Sequence, residues 1–208
     1  MLSTGHAAAW FVRRDEYVMP DFEDDIRQCV ATLRKGGLIL YPTDTIWGIG
    51  CDATRADAVR RVYELKRRAD NRAMLALVDS VERLEGYVED VPEVAYQLIE
   101  VADKPLTIVY DGAVGIADNL LGPGRSVGIR VTREEFSRAL CRRFGRPIVS
   151  TSANISGGPS AATFGQISRE IVEGVDYVVR CRQDDTTPGS ASSVVQLRGD
   201  GTIKILRS

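Results

Sequence analysis

Short apolar runs alternate with segments of helical period along most of this chain. That alternation restricts it to a sheet covered by helices. From Asp21, the residues Phe22, Ile26, Val30 and Leu33 recur at helical spacing, and Gly36-Gly37 supplies the stop. Leu38–Tyr41 follows as a buried strand ended by Pro42. Thr54 with Asp57 three residues on reads as a capping-box start for a helix reaching about Arg68, and Met74–Val78 reads as the next strand. Short helices are expected at Val81–Tyr87 and Glu93–Val101, and strands at Leu106–Tyr110 and Val127–Val131. Thr132 with Glu135 opens a further helix that ends near Gly145. Ile148–Ser150 is a short strand, and Thr163 with Gln166 repeats the capping pattern before a helix to Val172. Asp176–Arg180, Val194–Leu197 and Thr202–Leu206 complete the strands, the last two joined by the Gly199-Asp200-Gly201 turn.

The expected fold class is therefore α/β with a mixed sheet. The 208 residues suffice for one well-buried core. Residues 1–20 show no sustained period and read as a poorly ordered extension, and 21–208 as a single domain.

One histidine, His6, stands in that extension. Ser-His-Asp triads, multi-histidine metal sites and imidazole bases are thereby excluded. The four cysteines are dispersed with no CxxC pair, and Cys29 and Cys141 fall on apolar helix faces. No stretch approaches the roughly 20 apolar residues that span a bilayer. The expectation is a soluble, cytoplasmic protein with reduced thiols. Net charge is −2, which argues against a dedicated nucleic-acid coat, although residues 60–72 hold six basic side chains against two acidic ones.

Three segments could carry chemistry. Tyr41-Pro-Thr-Asp-Thr-Ile-Trp-Gly-Ile-Gly50 sits where a buried strand runs out, the place where α/β sheets bind ligands. Its other reading is an ordinary strand-to-helix turn. Lys66-Arg67-Arg68, with Arg72 beyond, closes a helix; such cations suit a phosphate as well as the helix dipole. Ser150–Gly158 is rich in short hydroxyls, with Asn154 and two glycines, and can present donors to an anion or an amino-acid head group. No histidine activates these serines, so binding is favoured over nucleophilic attack. Neither a Walker A motif nor GxGxxG is present.

In this order and spacing the segments resemble the YrdC family of threonylcarbamoyladenylate synthases. The match runs through Pro42–Gly50, Lys66-Arg67-Arg68, Pro105-Leu106-Thr107, Gly128–Val131, Ser150–Gly157 and Ser192–Val195. Trp47 stands where tyrosine is usual, and the Ala69–Met74 stretch lacks the family's prolines. The resemblance implies a YrdC-like twisted mixed sheet, flanked by helices, around a large open basic cavity. It implies that L-threonine, bicarbonate and ATP, with Mg2+, give threonylcarbamoyl-AMP and pyrophosphate. The product would pass to a tRNA threonylcarbamoyl transferase complex acting at adenosine 37 of ANN-decoding tRNAs. By motif, Thr45, Arg130, Ser152 and Ser192 are implied as threonine contacts. Lys66, Arg68, Arg72, Ser126, Asn154 and Arg207 are implied on the ATP side, with Lys66 and Arg68 catalytic. No dedicated protein ligand set for a metal is expected. Two other readings remain: a non-catalytic module binding tRNA, double-stranded RNA or the ribosome, and a carbamoyl-transfer domain of the hydrogenase-maturation type, whose usual cysteine-rich zinc fingers this sequence lacks.

Overall fold

A computed structural model describes residues 22–68, 74–199 and 201–208. The expected extension at 1–20, with His6, and the residue Arg72 lie outside the described residues.

The order is α1 (Glu23–Arg34), β1 (Ile39–Tyr41), β2 (Gly48–Gly50), α2 (Ala56–Leu65), β3 (Leu75–Val78), α3 (Glu93–Val101), β4 (Leu106–Tyr110), β5 (Val127–Val131), α4 (Glu135–Phe144), β6 (Ile148–Ser152), α5 (Arg169–Gly174), β7 (Tyr177–Val178), β8 (Ser193–Leu197) and β9 (Ile203–Arg207). These strands form one mixed sheet in the order β7-β1-β2-β6-β3-β5-β4-β8-β9. β1–β7, β3–β5 and β4–β8 are parallel pairs and the other five are antiparallel. α1 buries Ile26, Cys29, Val30 and Leu33, and Phe22 meets Phe136 of α4 edge-on at 5.4 Å. All four cysteines are free thiols. No helix among the described residues is long and apolar enough to cross a membrane.

The strand unforeseen from sequence is β2. Its two glycines, which permit close backbone approach, pack between β1 and β6. A Cβ on Gly50 would lie 2.7 Å from the Tyr41 ring and 3.0 Å from the Val149 carbonyl oxygen. β2 thereby joins the two halves of the sheet.

All three expected capping boxes are corrected. Arg55 is the N-cap of α2, while the Thr54 N–H and hydroxyl both donate to Asp52 Oδ1, at 2.9 and 2.7 Å. Glu134, not Thr132, caps α4, its carboxylate accepting from the Phe136 and Ser137 N–H groups at 3.1 and 2.8 Å. Thr132 instead pairs its hydroxyl with Ser137 at 2.7 Å. At the third position a 3-10 turn over Phe164–Gln166 precedes α5, and Gln166 accepts from the Ala162 N–H at 2.9 Å. Thr54 and Thr132 thus have local side-chain partners in place of a helix end. The segment Val81–Gly86 is likewise a 3-10 helix.

Candidate active site

A cavity of about 320 Å³ opens on one face of the sheet. The loop after β1 supplies Thr45 and Trp47, β4 supplies Thr107, and the start and body of β5 bring Ser126 and Arg130. β6 brings Ser150–Ser152, while Arg68, Ser192 and Arg207 complete the polar wall. Strand alternation explains much of this: Thr107 and Val109 share one face, as do Gly128 and Arg130.

The end of α2 turns on one strained residue. Lys66 is the C-cap and Arg67 adopts φ +49°, a left-handed conformation uncommon outside glycine. The Arg68 N–H then returns to the Tyr63 carbonyl at 2.9 Å, and Arg67 points outward to Glu170 at 2.7 Å. That reversal sends Lys66 and Arg68 inward together, to different places. Arg68 reaches the cavity wall. Lys66 is 1% exposed and lies behind the wall, its ammonium donating to the carbonyls of Ser152 and, at 2.7 Å, Asn154. Its own carbonyl accepts the Ser156 N–H at 2.8 Å. One residue thus fastens the 152–156 loop at three points. Burial lowers the Lys66 pKa to about 8, with the Arg68 charge acting in the same direction. Asn154 also serves the loop, donating to the Ile155 and Gly158 carbonyls at 3.0 and 2.7 Å.

Arg130, 2% exposed, faces Asp44 at 3.0 Å and donates to the Thr45 hydroxyl at 3.4 Å. Burial lowers the Arg130 pKa, and Asp44 opposes that shift. Burial raises that of Asp44, Arg130 working against it and the charge of Glu134 adding to it. The Thr45 and Thr43 hydroxyls meet at 2.9 Å. Arg130 Nε is buried without a hydrogen-bond partner among the described residues.

Seven of the residues expected from sequence therefore share one wall: Thr45, Arg68, Ser126, Arg130, Ser152, Ser192 and Arg207. Lys66 and Asn154 stand behind it, and Arg72 is outside the described residues. Sequence reasoning missed Asp44, although its carboxylate stands between two threonines in the first motif. It also missed a strap over residues 182–191. Arg182, at φ +64°, donates to Glu134 at 3.3 Å and to the Thr43 carbonyl at 3.5 Å. Further on, Gly189 presses on the Thr45 carbonyl so closely that a Cβ would sit 1.7 Å from its oxygen. The strap then delivers Ser192 to the cavity. No local pattern announced it.

The fold is thus a mixed α/β sheet that gathers arginines and hydroxyls around one cavity, a lining suited to small anionic molecules. The family model Sua5/YciO/YrdC, described as "Telomere recombination", matches residues 31–208, and the chain belongs to that family. A relative from Saccharophagus degradans named threonylcarbamoyl-AMP synthase is 34% identical over 167 residues, covering 78% of this chain and 86% of its own. P. abyssi Sua5 complexed with L-threonine superposes with a TM-score of 0.78 at 27% identity, over 88% of this chain; that protein is longer, and the match spans 53% of it. E. coli YciO gives a TM-score of 0.77 at 25% identity and covers 89% of both chains.

Proposed function

We propose that this protein is an L-threonylcarbamoyladenylate synthase, with residues 21–208 as its catalytic domain. The observation that carries the reading is the gathering of seven motif residues on one cavity wall, in a family whose relatives bear that name. Arg130 and Thr45 form the end suited to threonine. A planar guanidinium matches a carboxylate better than a lysine would. Arg68 and Ser126 form the end suited to ATP phosphates, and the Lys66-fastened loop shapes the wall between.

The chemistry needs no protein nucleophile. The threonine amine attacks bicarbonate, forming the N–C bond and releasing water, to give a carbamate. A carbamate oxygen then attacks the α-phosphorus of ATP, and pyrophosphate leaves with the electron pair of the broken P–O bond. Both steps gain from orientation and from positive charge beside the phosphates. Among the described residues no group of three or more acidic, cysteine or histidine side chains is placed to hold a metal. Magnesium would accordingly enter with the phosphates of ATP as part of the substrate. In the cytoplasm, the product would serve a tRNA threonylcarbamoyl transferase complex acting at adenosine 37.

RNA binding alone has less support. Within the basic stretch Lys66 is buried, while Arg61 and Arg67 pair with Asp176 and Glu170 at 2.9 and 2.7 Å. The deciding experiment is pyrophosphate release from ATP by purified protein. Release that requires both L-threonine and bicarbonate is expected. Release independent of threonine, or none at all, overturns the reading.

A further inference from the structure

Thr107 on β4, paired with Ser192 at the end of the strap, is a cavity hydroxyl outside the contacts that the motifs imply. Thr107 and Ser192 are each 2% exposed, line the cavity, and hold their side-chain oxygens 3.0 Å apart. Arg207 on β9 donates Nε–H to the Ser192 carbonyl at 2.9 Å and an Nη2 hydrogen to the Ser192 hydroxyl at 3.2 Å. A guanidinium donates only, so the Ser192 oxygen is an acceptor in that bond. Two hydroxyls that share one hydrogen bond use one hydrogen and keep one.

Neither hydroxyl has another protein acceptor among the described residues. A hydrogen left over on a cavity wall is available to an acceptor that enters the cavity. Its direction follows from polarisation along the chain. Ser192, receiving from Arg207, donates onward to Thr107 more readily than it accepts twice. The spare hydrogen then belongs to Thr107. Ile108 pairs with Ile129 across the antiparallel β4–β5 ladder, which sets Thr107 beside Arg130 one position further on. Both residues line the cavity from neighbouring positions on adjacent strands.

We propose that Thr107 donates a hydrogen bond to the carboxylate of the amino-acid substrate held by Arg130, and that Arg207 and Ser192 fix it as a donor. The inference rests on the synthase reading for the identity of that substrate. Thr107→Val keeps the shape and removes the hydroxyl, and Thr107→Ala removes it while leaving room. L-Threonine and ATP are titrated separately by calorimetry, alongside the KM of each. Loss of a hydrogen bond to a charged group predicts about tenfold weaker threonine binding or more, with ATP within about twofold. Thr107→Ser should restore threonine affinity, which a packing role for the γ-methyl would not. Unchanged threonine affinity in both hydroxyl-less variants, or equal losses for both ligands, overturns the proposal alone. Failure of the wild-type protein to bind threonine overturns the synthase reading and this contact with it.

Discussion

Lys66, behind the cavity wall, and Arg130, on it, are both buried cations, and they are neutralised differently. Arg130 faces a carboxylate, Asp44, at 3.0 Å. Lys66 faces only carbonyl oxygens, those of Ser152 and Asn154. A full counter-charge offsets much of the desolvation cost, whereas carbonyl dipoles offset less. Arginine also keeps its proton at any ordinary pH, but lysine yields its proton when buried. The arginine end is thus a fixed positive charge clamped within the sheet. The lysine end is a titratable fastening on a loop.

The largest effect on threonine binding is expected at the arginine end. Arg130→Ala leaves Asp44, partly buried, without its counter-charge, a loss of up to about 3 kcal/mol of stability. Chemical denaturation should read that loss. Arg130→Lys keeps the charge but not the fork, so the fold should survive while threonine binding weakens by at least about tenfold. Equal threonine affinity in Arg130→Lys and wild type would erase the distinction between the two ends.

Lys66→Met comes next. It keeps the apolar stem and strips both carbonyls of their donor, at roughly 2–4 kcal/mol in total. Turnover should fall, and because the loop carries Ser152, implied on the threonine side, and Asn154, implied on the ATP side, both affinities should weaken. Unchanged affinity for both ligands would mean that the loop keeps its shape without the lysine.

A pH series tests the same residue without mutation. The Lys66 pKa is about 8 in the folded protein and 10.5 for an ordinary lysine. Between those values the unfolded chain binds the extra proton, so this group makes stability rise with pH, by about 3 kcal/mol at most. Below pH 8 both states are protonated and the contribution is flat. Activity should move the other way, falling above pH 8 as the ammonium beside Arg68 is neutralised. Turnover per folded molecule that stays flat from pH 7 to 10 would show that the Lys66 charge is idle.

What could be read in advance follows from how local each cause is. The helical period of α1 and the apolar runs of β4 and β5 lie within single segments, and their positions agree closely with expectation. β2 was hidden because the reason for Gly50 is the Tyr41 ring and the Val149 carbonyl, one from each neighbouring strand. Two of the three capping boxes failed because Asp52 and Glu134 supplied stronger acceptors than helix geometry alone suggests. At the site, motif order placed Thr45, Arg68 and Arg130 on the wall, but whether a basic residue stands at a wall or behind it is tertiary. Lys66 and Arg68 differ there although only one residue separates them.

Gly189 probes the arginine end from outside. Gly189→Ala drives a methyl group into the Thr45 carbonyl, and overpacking of this kind costs about 1–3 kcal/mol. The strap must lift or Thr45 must shift. The threonine KM should therefore rise several-fold, with little change for ATP. A KM change confined to ATP would show that the strap serves the other end.

The smallest effect concerns the residue that separates Lys66 from Arg68. Arg67 sits at φ +49°, where a side chain costs roughly 1–2 kcal/mol relative to glycine. Arg67→Gly removes that strain, yet it adds freedom to the unfolded chain and drops an exposed pair with Glu170 that is worth little. The gains and losses nearly cancel, so denaturation should move by less than about 1 kcal/mol, with turnover retained. Arg67→Val, β-branched and ill-suited to that conformation, should cost about 1–2 kcal/mol and weaken ATP binding together with stability. If valine is tolerated as well as glycine, the inward turn of Lys66 and Arg68 does not depend on this backbone reversal. The lysine end would then be held by the 152–156 loop instead of holding it.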